Sequence, residues 1–451
     1  MIKFVKKHPW ILIVLVGLFL VPQSLTIQSQ LNERLILTGM AVDKSEDGYE
    51  VVAQVVIAGS SAGAVGESGK VDFIKTKGKT ISECANEISY LLGKTAGFTH
   101  VNFVVFGKDL AKEEGIIDAL DYFVRDRKVP SSALVLISEG KAGEELVKTQ
   151  NMELDSAVGL QRLFIHKQTA MNGTMMQIQE VFDNYFNISS SSIISEFKIV
   201  DEQAMAQGKE QSGGSQGGSS ESGGSSGDSG GGLSGGSSSS DSSGGGSASG
   251  GAEGGSQSEN NKPPSKPRVE FEPNIYLLKQ GKIVAEITDK DELIAINLLN
   301  PNGEEGIISI DGVSDDVFND ATIGVRVYQK KAKFKAYFDE DGNPHFKITV
   351  DLKKNEVQEI NSKDISERMY DSSKVYLTDA LIERLETYSR ESILSVCKTA
   401  REANVDFLNC GNRLYQKDAK KWKKFLSSIQ NADDYLQYVN FEVEVIARKD
   451  T

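Results

Sequence analysis

Apolar positions fall into two alternating periods along the chain. Leu35 to Val42 is a nearly continuous apolar run, and after the turn-forming Ser45-Glu46-Asp47-Gly48 the residues Tyr49, Val51, Ala53, Val55 and Ile57 recur at every second position. That pattern predicts an antiparallel hairpin. From Ile81 the period lengthens: Ile81, Cys84, Ala85, Ile88, Leu91 and Leu92 share one helical face, Thr80 and Glu83 have capping-box spacing, and Gly93 ends the run. Val101 to Phe106 reads as a buried strand, Ile116, Ile117, Leu120 and Val124 as a helix face, and Ala133 to Ile137 as another core strand. The β-α-β-α-β order predicts a mixed sheet with helices packed on it.

The second half has its own rhythm. Pro273 to Leu278 and Ile283 to Ile287 predict a short hairpin turning at Lys279-Gln280-Gly281-Lys282. Ala332, Phe334, Ala336 and Phe338 alternate with lysines, Asp341-Gly342-Asn343-Pro344 turns the chain, and Phe346, Ile348, Val350 and Leu352 alternate in return. This predicts a long hairpin with one buried face. Leu381, Leu385, Tyr388, Val396 and Ala400 mark a helix from about 379 to 403, and Val439, Phe441, Val443 and Val445 a closing strand. Lys417, Lys420, Lys421, Lys423 and Lys424 surround Trp422, which with Phe425, Leu426 and Ile429 forms an apolar stripe, so the lysines read as the solvated side of a helix, with contact to anionic lipid as the lesser reading.

From Ser212 to Ser258 the chain is mostly Gly and Ser, with Leu233 its one sizeable apolar residue. Such composition cannot bury enough surface to offset its ordering entropy, so a flexible tether is expected. The predicted class is therefore α+β in two or three domains, each a mixed or antiparallel sheet packed with helices. The expected division is a signal or anchor segment over 1–29, an N-terminal α+β domain over 30–205, a Gly/Ser-rich linker over 206–267, a small β-rich middle domain over 268–320 and a C-terminal α+β domain over 321–451. In the first segment Lys3, Lys6 and Lys7 precede an apolar run from Trp10 to Val21, extendable to Ile27, with no A-x-A-type cleavage site after it. The expectation is an uncleaved membrane anchor with the lysines inside and everything from about residue 30 outside.

With 451 residues, 39% hydrophobic and 25% charged, the chain is long enough for several cores. A net charge of -14 argues against nucleic acid as a partner, since phosphate neutralisation calls for a basic face. Cys84, Cys397 and Cys410 are too few and too scattered for a disulfide framework or a zinc site, and buried thiols are expected, with a Cys397–Cys410 bridge as the lesser reading. Gly59-Ser60-Ser61-Ala62-Gly63 spells a nucleophile elbow, yet no helix pattern follows Ser61. Ala64 to Val71 misses a phosphate loop at both its first glycine and its final hydroxyl. His100, His166 and His345 are isolated, so no metal or catalytic pairing is expected, and His100 reads as structural. Catalytic residues, cofactors and metals are all expected to be absent.

An ordered set of motifs adds a family. Gly78-Lys79-Thr80 with its helix, His100 before a strand, Asp109-Leu110-Ala111 with Gly115, and Arg125-Asp126 occur in sequence. In the second half, Asp406-Phe407-Leu408-Asn409-Cys410-Gly411 followed by Trp422 is similar to a D-x-x-G-x-G motif with a downstream tryptophan. The set resembles the Ger(x)C family, the membrane-attached C subunits of the nutrient receptors that trigger bacterial spore germination. Asn409 stands where the family often has glycine, and no cysteine precedes Cys84, so the lipidated cysteine typical of the family is missing.

The resemblance implies a non-enzymatic receptor subunit of α+β domains on the outer face of the spore inner membrane. Its implied partners are the membrane, a polytopic transporter-like subunit and a second membrane subunit. Asp406, Gly411 and Trp422 are the candidate interaction residues. The competing expectations are an anchored envelope adaptor outside germination and, further off, an envelope hydrolase.

Overall fold

The computed structural model describes residues 34–56, 71–126, 129–149, 174–200, 268–270, 274–300, 305–315, 320–361 and 377–449. The apolar segment 10–27, the Ser61 motif, nearly all of the phosphate-loop near-miss, His166 and the Gly/Ser stretch lie outside them.

The first hairpin forms as its pattern requires. Strands β1 (Arg34–Ser45) and β2 (Gly48–Val56) are antiparallel, with Ser45 opposite Gly48. Strand β3 (Val71–Gly78) adds outside β2, and helix α1 (Ile81–Leu92) follows. The Thr80 hydroxyl accepts from the Glu83 N–H at 3.2 Å, the Glu83 carboxylate accepts from the Lys79 N–H at 2.7 Å, and Gly93 ends the helix in the left-handed region at φ 59°.

Short strand β4 (Thr95–Gly97) then runs parallel to the start of β1, and β5 (Phe103–Gly107) runs parallel to its later part. Helices α2 (Lys108–Glu113) and α3 (Ile117–Arg125) lead to β6 (Leu134–Ser138), then α4 (Ala142–Lys148), β7 (Met176–Gln177) and α5 (Ile178–Phe186). The sheet order is β3-β2-β1-β5-β6-β7, with β4 beside β1.

Both faces of this sheet are covered, which explains the unbroken apolar run in β1. Met40 and Val42 enter the core shared with α1, α3 and α5, while Ala41 enters the opposite core with Phe103, Leu136 and α4 residues Ala142 and Leu146. The α1 stripe is corrected at its end. Ile81, Cys84, Ala85 and Ile88 are buried, but Leu91 and Leu92 are exposed.

The chain on the far side of the Gly/Ser stretch returns to the same place. Strand β8 (Ser191–Ser195) pairs antiparallel with β11 (Ile275–Lys279), and the short β9 (Lys198–Val200) pairs with β10 (Arg268–Glu270). Strand β12 (Lys282–Ile287) completes the hairpin through the Lys279–Lys282 turn, and α6 (Lys290–Leu299) follows. Alternation along β11 splits its side chains between two cores: Tyr276 and Leu278 join the first-half core, Ile275 and Leu277 the second. The strands of 268–320 are thus shared out, since β11 and β12 take their third strand from the first half and β13 (Gly306–Val313) joins the large C-terminal sheet.

That sheet has the order β13-β14-β15-β16. Strands β14 (Ala321–Phe338) and β15 (Pro344–Asn361) form the long hairpin. Helices α7 (Asp379–Glu402), α8 (Cys410–Lys417) and α9 (Ala419–Ser428) and a 3-10 helix (Ala432–Tyr438) carry the chain back over the sheet. The closing strand β16 (Asn440–Ala447) therefore runs parallel to β15. The fold is α+β, with sheets packed against helices.

Candidate functional site

The three candidate interaction residues converge on one side chain, Tyr435. Asp406 lies in the turn between α7 and α8, 2% exposed. Its carboxylate accepts from the backbone N–H groups of Cys410 at 2.7 Å and Gly411 at 2.8 Å, and from the Tyr435 hydroxyl at 2.6 Å. The two N–H groups belong to the first turn of α8, where an anionic acceptor meets unpaired donors and the positive end of the helix dipole.

Gly411 is required by close approach. A Cβ there would stand 2.8 Å from the Tyr435 ring and 3.1 Å from the Ile188 side chain. Trp422 on α9 is buried, with its ring 5.2 Å from that of Tyr435 in an edge-on arrangement. Asn409 has φ 55°, the left-handed region that glycine and then asparagine tolerate best, which accounts for asparagine at that point of the motif.

This knot also fastens the second half to the first. The Asp406 N–H donates to the Ser191 hydroxyl at 3.1 Å, the Ser189 hydroxyl donates to the Asn409 side-chain oxygen at 2.8 Å, and the Lys279 ammonium donates to the Ser189 carbonyl at 3.0 Å. Burial lowers the affinity of Lys279 for its proton, opposed by the nearby Asp406 charge. Burial likewise pushes the Tyr435 hydroxyl and the Cys410 thiol well above their ordinary ranges, with Asp406 adding to both, and lifts the Cys397 thiol to about 12. All three cysteines are free and buried.

A second buried carboxylate sits in the first half. Asp43 on β1 accepts from the N–H groups of Ala142 and Gly143 at the start of α4, both at 2.8 Å. Burial raises its proton affinity, against the lowering effect of those two bonds. A third, Glu196, accepts from the Tyr276 hydroxyl at 3.1 Å and the Asn274 amide at 2.8 Å, and is raised chiefly by burial. Asp43, Glu196, Ser191 and Tyr435 carry no sequence signal, because their partners lie far away in the chain.

Between α5 and the turn holding Asp406 lies a cleft of about 430 Å³. Ile193, Ile296, Leu299, Phe334 and Leu408 supply apolar lining, Glu180 and Asp183 the acidic side, and Arg413, whose guanidinium lies 5.1 Å from the Phe334 ring centre, the basic one. Among the described residues no group of His, Cys, Asp and Glu is arranged to hold a metal ion. His100 is exposed beside β5, and His345 lies between Glu442 at 2.9 Å and Asp339 at 3.4 Å, so the structure does not bring them together. The Lys417 to Lys424 lysines are exposed on α8 and α9, opposite Trp422 and Phe425. Chemically, Asp406 and Asp43 are occupied by backbone donors, an arrangement that positions helices.

Comparison with known proteins follows the same division of the chain. Residues 28–199 match the family model described as "Spore germination protein N-terminal domain", and residues 274–448 match "Spore germination B3/ GerAC like, C-terminal". Over 144 residues, 31% of this chain and 37% of the relative, it is 28% identical to the putative spore germination protein YfkR of Bacillus subtilis. It is 27% identical over 125 residues to spore germination protein KC of the same organism, covering 26% of this chain and 31% of that one. The alignments thus span about a third of the length of these curated relatives. A crystal structure of the GerBC protein is 14% identical with a TM-score of 0.46, covering 91% of this chain and 96% of the other. No helix among the described residues is long and apolar enough to cross a membrane. Matched by one family model on each side of the Gly/Ser stretch, the chain belongs to the Ger(x)C family, the C-subunit family of spore germination receptors.

Proposed function

We propose that this protein is a non-enzymatic subunit of a nutrient germinant receptor, tethered to the membrane by residues 10–27 and assembling with a polytopic transporter-like subunit and a second membrane subunit. The observation that carries the reading is family membership across both halves, 28–199 and 274–448. The N-terminal lysines followed by the Trp10 to Ile27 apolar run support an anchor with the folded part outside the cytoplasm, on the outer face of the spore inner membrane. Transmission through such a subunit is conformational, a coupling between nutrient binding by its partners and the state of the assembly. Asp406, Gly411 and Trp422 serve that assembly from within, by holding α8, α9 and the 3-10 helix as one rigid face.

The test is affinity purification of the full-length protein from detergent-solubilised membranes, followed by mass spectrometry. Co-purification of a polytopic protein and a second membrane subunit is the expected result. Recovery alone, under conditions that preserve a known membrane complex, refutes the receptor reading.

A further inference from the structure

The apolar stripe of α1 continues beyond its buried part. Its first four members, Ile81, Cys84, Ala85 and Ile88, are buried, yet the last turn leaves Tyr90 85% exposed, Leu91 58% and Leu92 41%. Three consecutive large apolar side chains in water at a helix end are unusual for a surface, where such residues occur singly.

The position of this turn says what covers it. Gly93 and Lys94 lead directly into β4, whose first residue, Thr95, is paired with Arg34, the first residue of β1. The end of α1 and the point where the chain enters the fold are therefore at the same end of the sheet. Between Ile27, the last residue of the apolar segment, and Arg34 only Gln28 to Glu33 intervene. At roughly 3.3–3.6 Å per residue, the seven steps from Ile27 to Arg34 reach no more than about 25 Å. An anchor at 10–27 thus holds this edge close to the bilayer.

We propose that the last turn of α1 rests in the headgroup region of the bilayer that anchors the chain, with Leu91 and Leu92 entering the acyl boundary, Tyr90 at the headgroups and Lys94 paired with anionic lipid. The chemistry fits the site: tyrosine partitions to the membrane interface, leucine below it, and a lysine stem lies along apolar surface while its charge stays in water. The contact would set the orientation of the whole folded part, because α1 is fastened to the sheet through Ile81, Cys84, Ala85 and Ile88. The inference rests on reading residues 10–27 as an anchor.

The test uses the full-length protein in vesicles of phosphatidylcholine and phosphatidylglycerol, with an environment-sensitive fluorophore on Leu91→Cys and, separately, on Leu92→Cys. The native thiols are buried and stay unlabelled. Val284→Cys, on β12 and 49% exposed, is the control. Lipids carrying a nitroxide on the acyl chain should remove most of the emission at 91 and 92 and little at 284. If the protein floats with the vesicles but aqueous iodide quenches 91 as freely as 284, the contact is refuted while the anchor stands. Shielding from iodide without quenching by nitroxide lipid assigns the face to a second copy and also refutes it. Protein left in the aqueous fraction after flotation refutes the anchor, and the inference with it.

Discussion

The two buried aspartates solve one problem in opposite ways. Each places both carboxylate oxygens on consecutive backbone N–H groups at the start of a helix, Asp406 on α8 and Asp43 on α4. Asp406 reaches donors four and five residues ahead, so its contact forms with the helix itself. Asp43 reaches across 99 and 100 residues, and its contact exists only once β1 and α4 have met. A third donor separates them further, since Tyr435 also donates to Asp406 and ties in the aromatic packing of Trp422. The lesson is that similar local geometry can be a helix cap in one half and a tertiary fastener in the other.

Asp406→Ala should show the largest effect. It leaves three buried donors without an acceptor, at about 1–3 kcal/mol each, so a loss on the order of 4 kcal/mol is expected by denaturant unfolding. A loss below about 1 kcal/mol would mean that water or a rearranged turn takes over the acceptor's place. Gly411→Ala comes next. Its methyl group would press on the Tyr435 ring at 2.8 Å, and an overpacking cost of roughly 1–3 kcal/mol should appear in the same measurement.

Asp43→Asn sharpens the comparison through pH. Because burial raises the folded-state value above the unfolded one, the folded protein binds the extra proton first, and the aspartate's contribution to stability rises as pH falls towards the unfolded value, about 3.9. The variant, costing roughly 1–2 kcal/mol near neutrality for a weakened cap, lacks that titration, so its deficit should widen on acidification. A gap that stays constant or narrows from pH 7 to pH 4.5 would contradict the assigned direction. Lys279→Met should have the smallest effect. The lost bond to the Ser189 carbonyl is offset by removing a buried ammonium, and a change within about 1 kcal/mol is expected.

Asp406, Gly411 and Trp422 were named by the resemblance alone, as interaction residues; that Asp406 caps α8 and that Gly411 makes room for the Tyr435 ring is seen only in the structure. Tyr435, which all three motif residues touch or approach, was not legible, because Asp433-Asp434-Tyr435-Leu436 reads as an ordinary polar turn. The α1 stripe shows a different limit. Periodicity identified Leu91 and Leu92 as belonging to the apolar face, but period alone does not state which positions of that face the rest of the fold covers.

By itself, then, the sequence determined what is settled within a few residues: the hairpins at Ser45–Gly48 and Lys279–Lys282, the capping box at Thr80 and Glu83, and the stop at Gly93. Only the tertiary structure decided that β8 and β11 pair across the Gly/Ser stretch, that β11 divides its side chains between two cores, that β16 runs parallel to β15, and that Asp43 holds α4. The physical reason is range. Turns, caps and periodic faces lower the free energy of a segment whatever surrounds it, whereas strand partners and buried acceptors acquire their value only when distant surfaces have already excluded water.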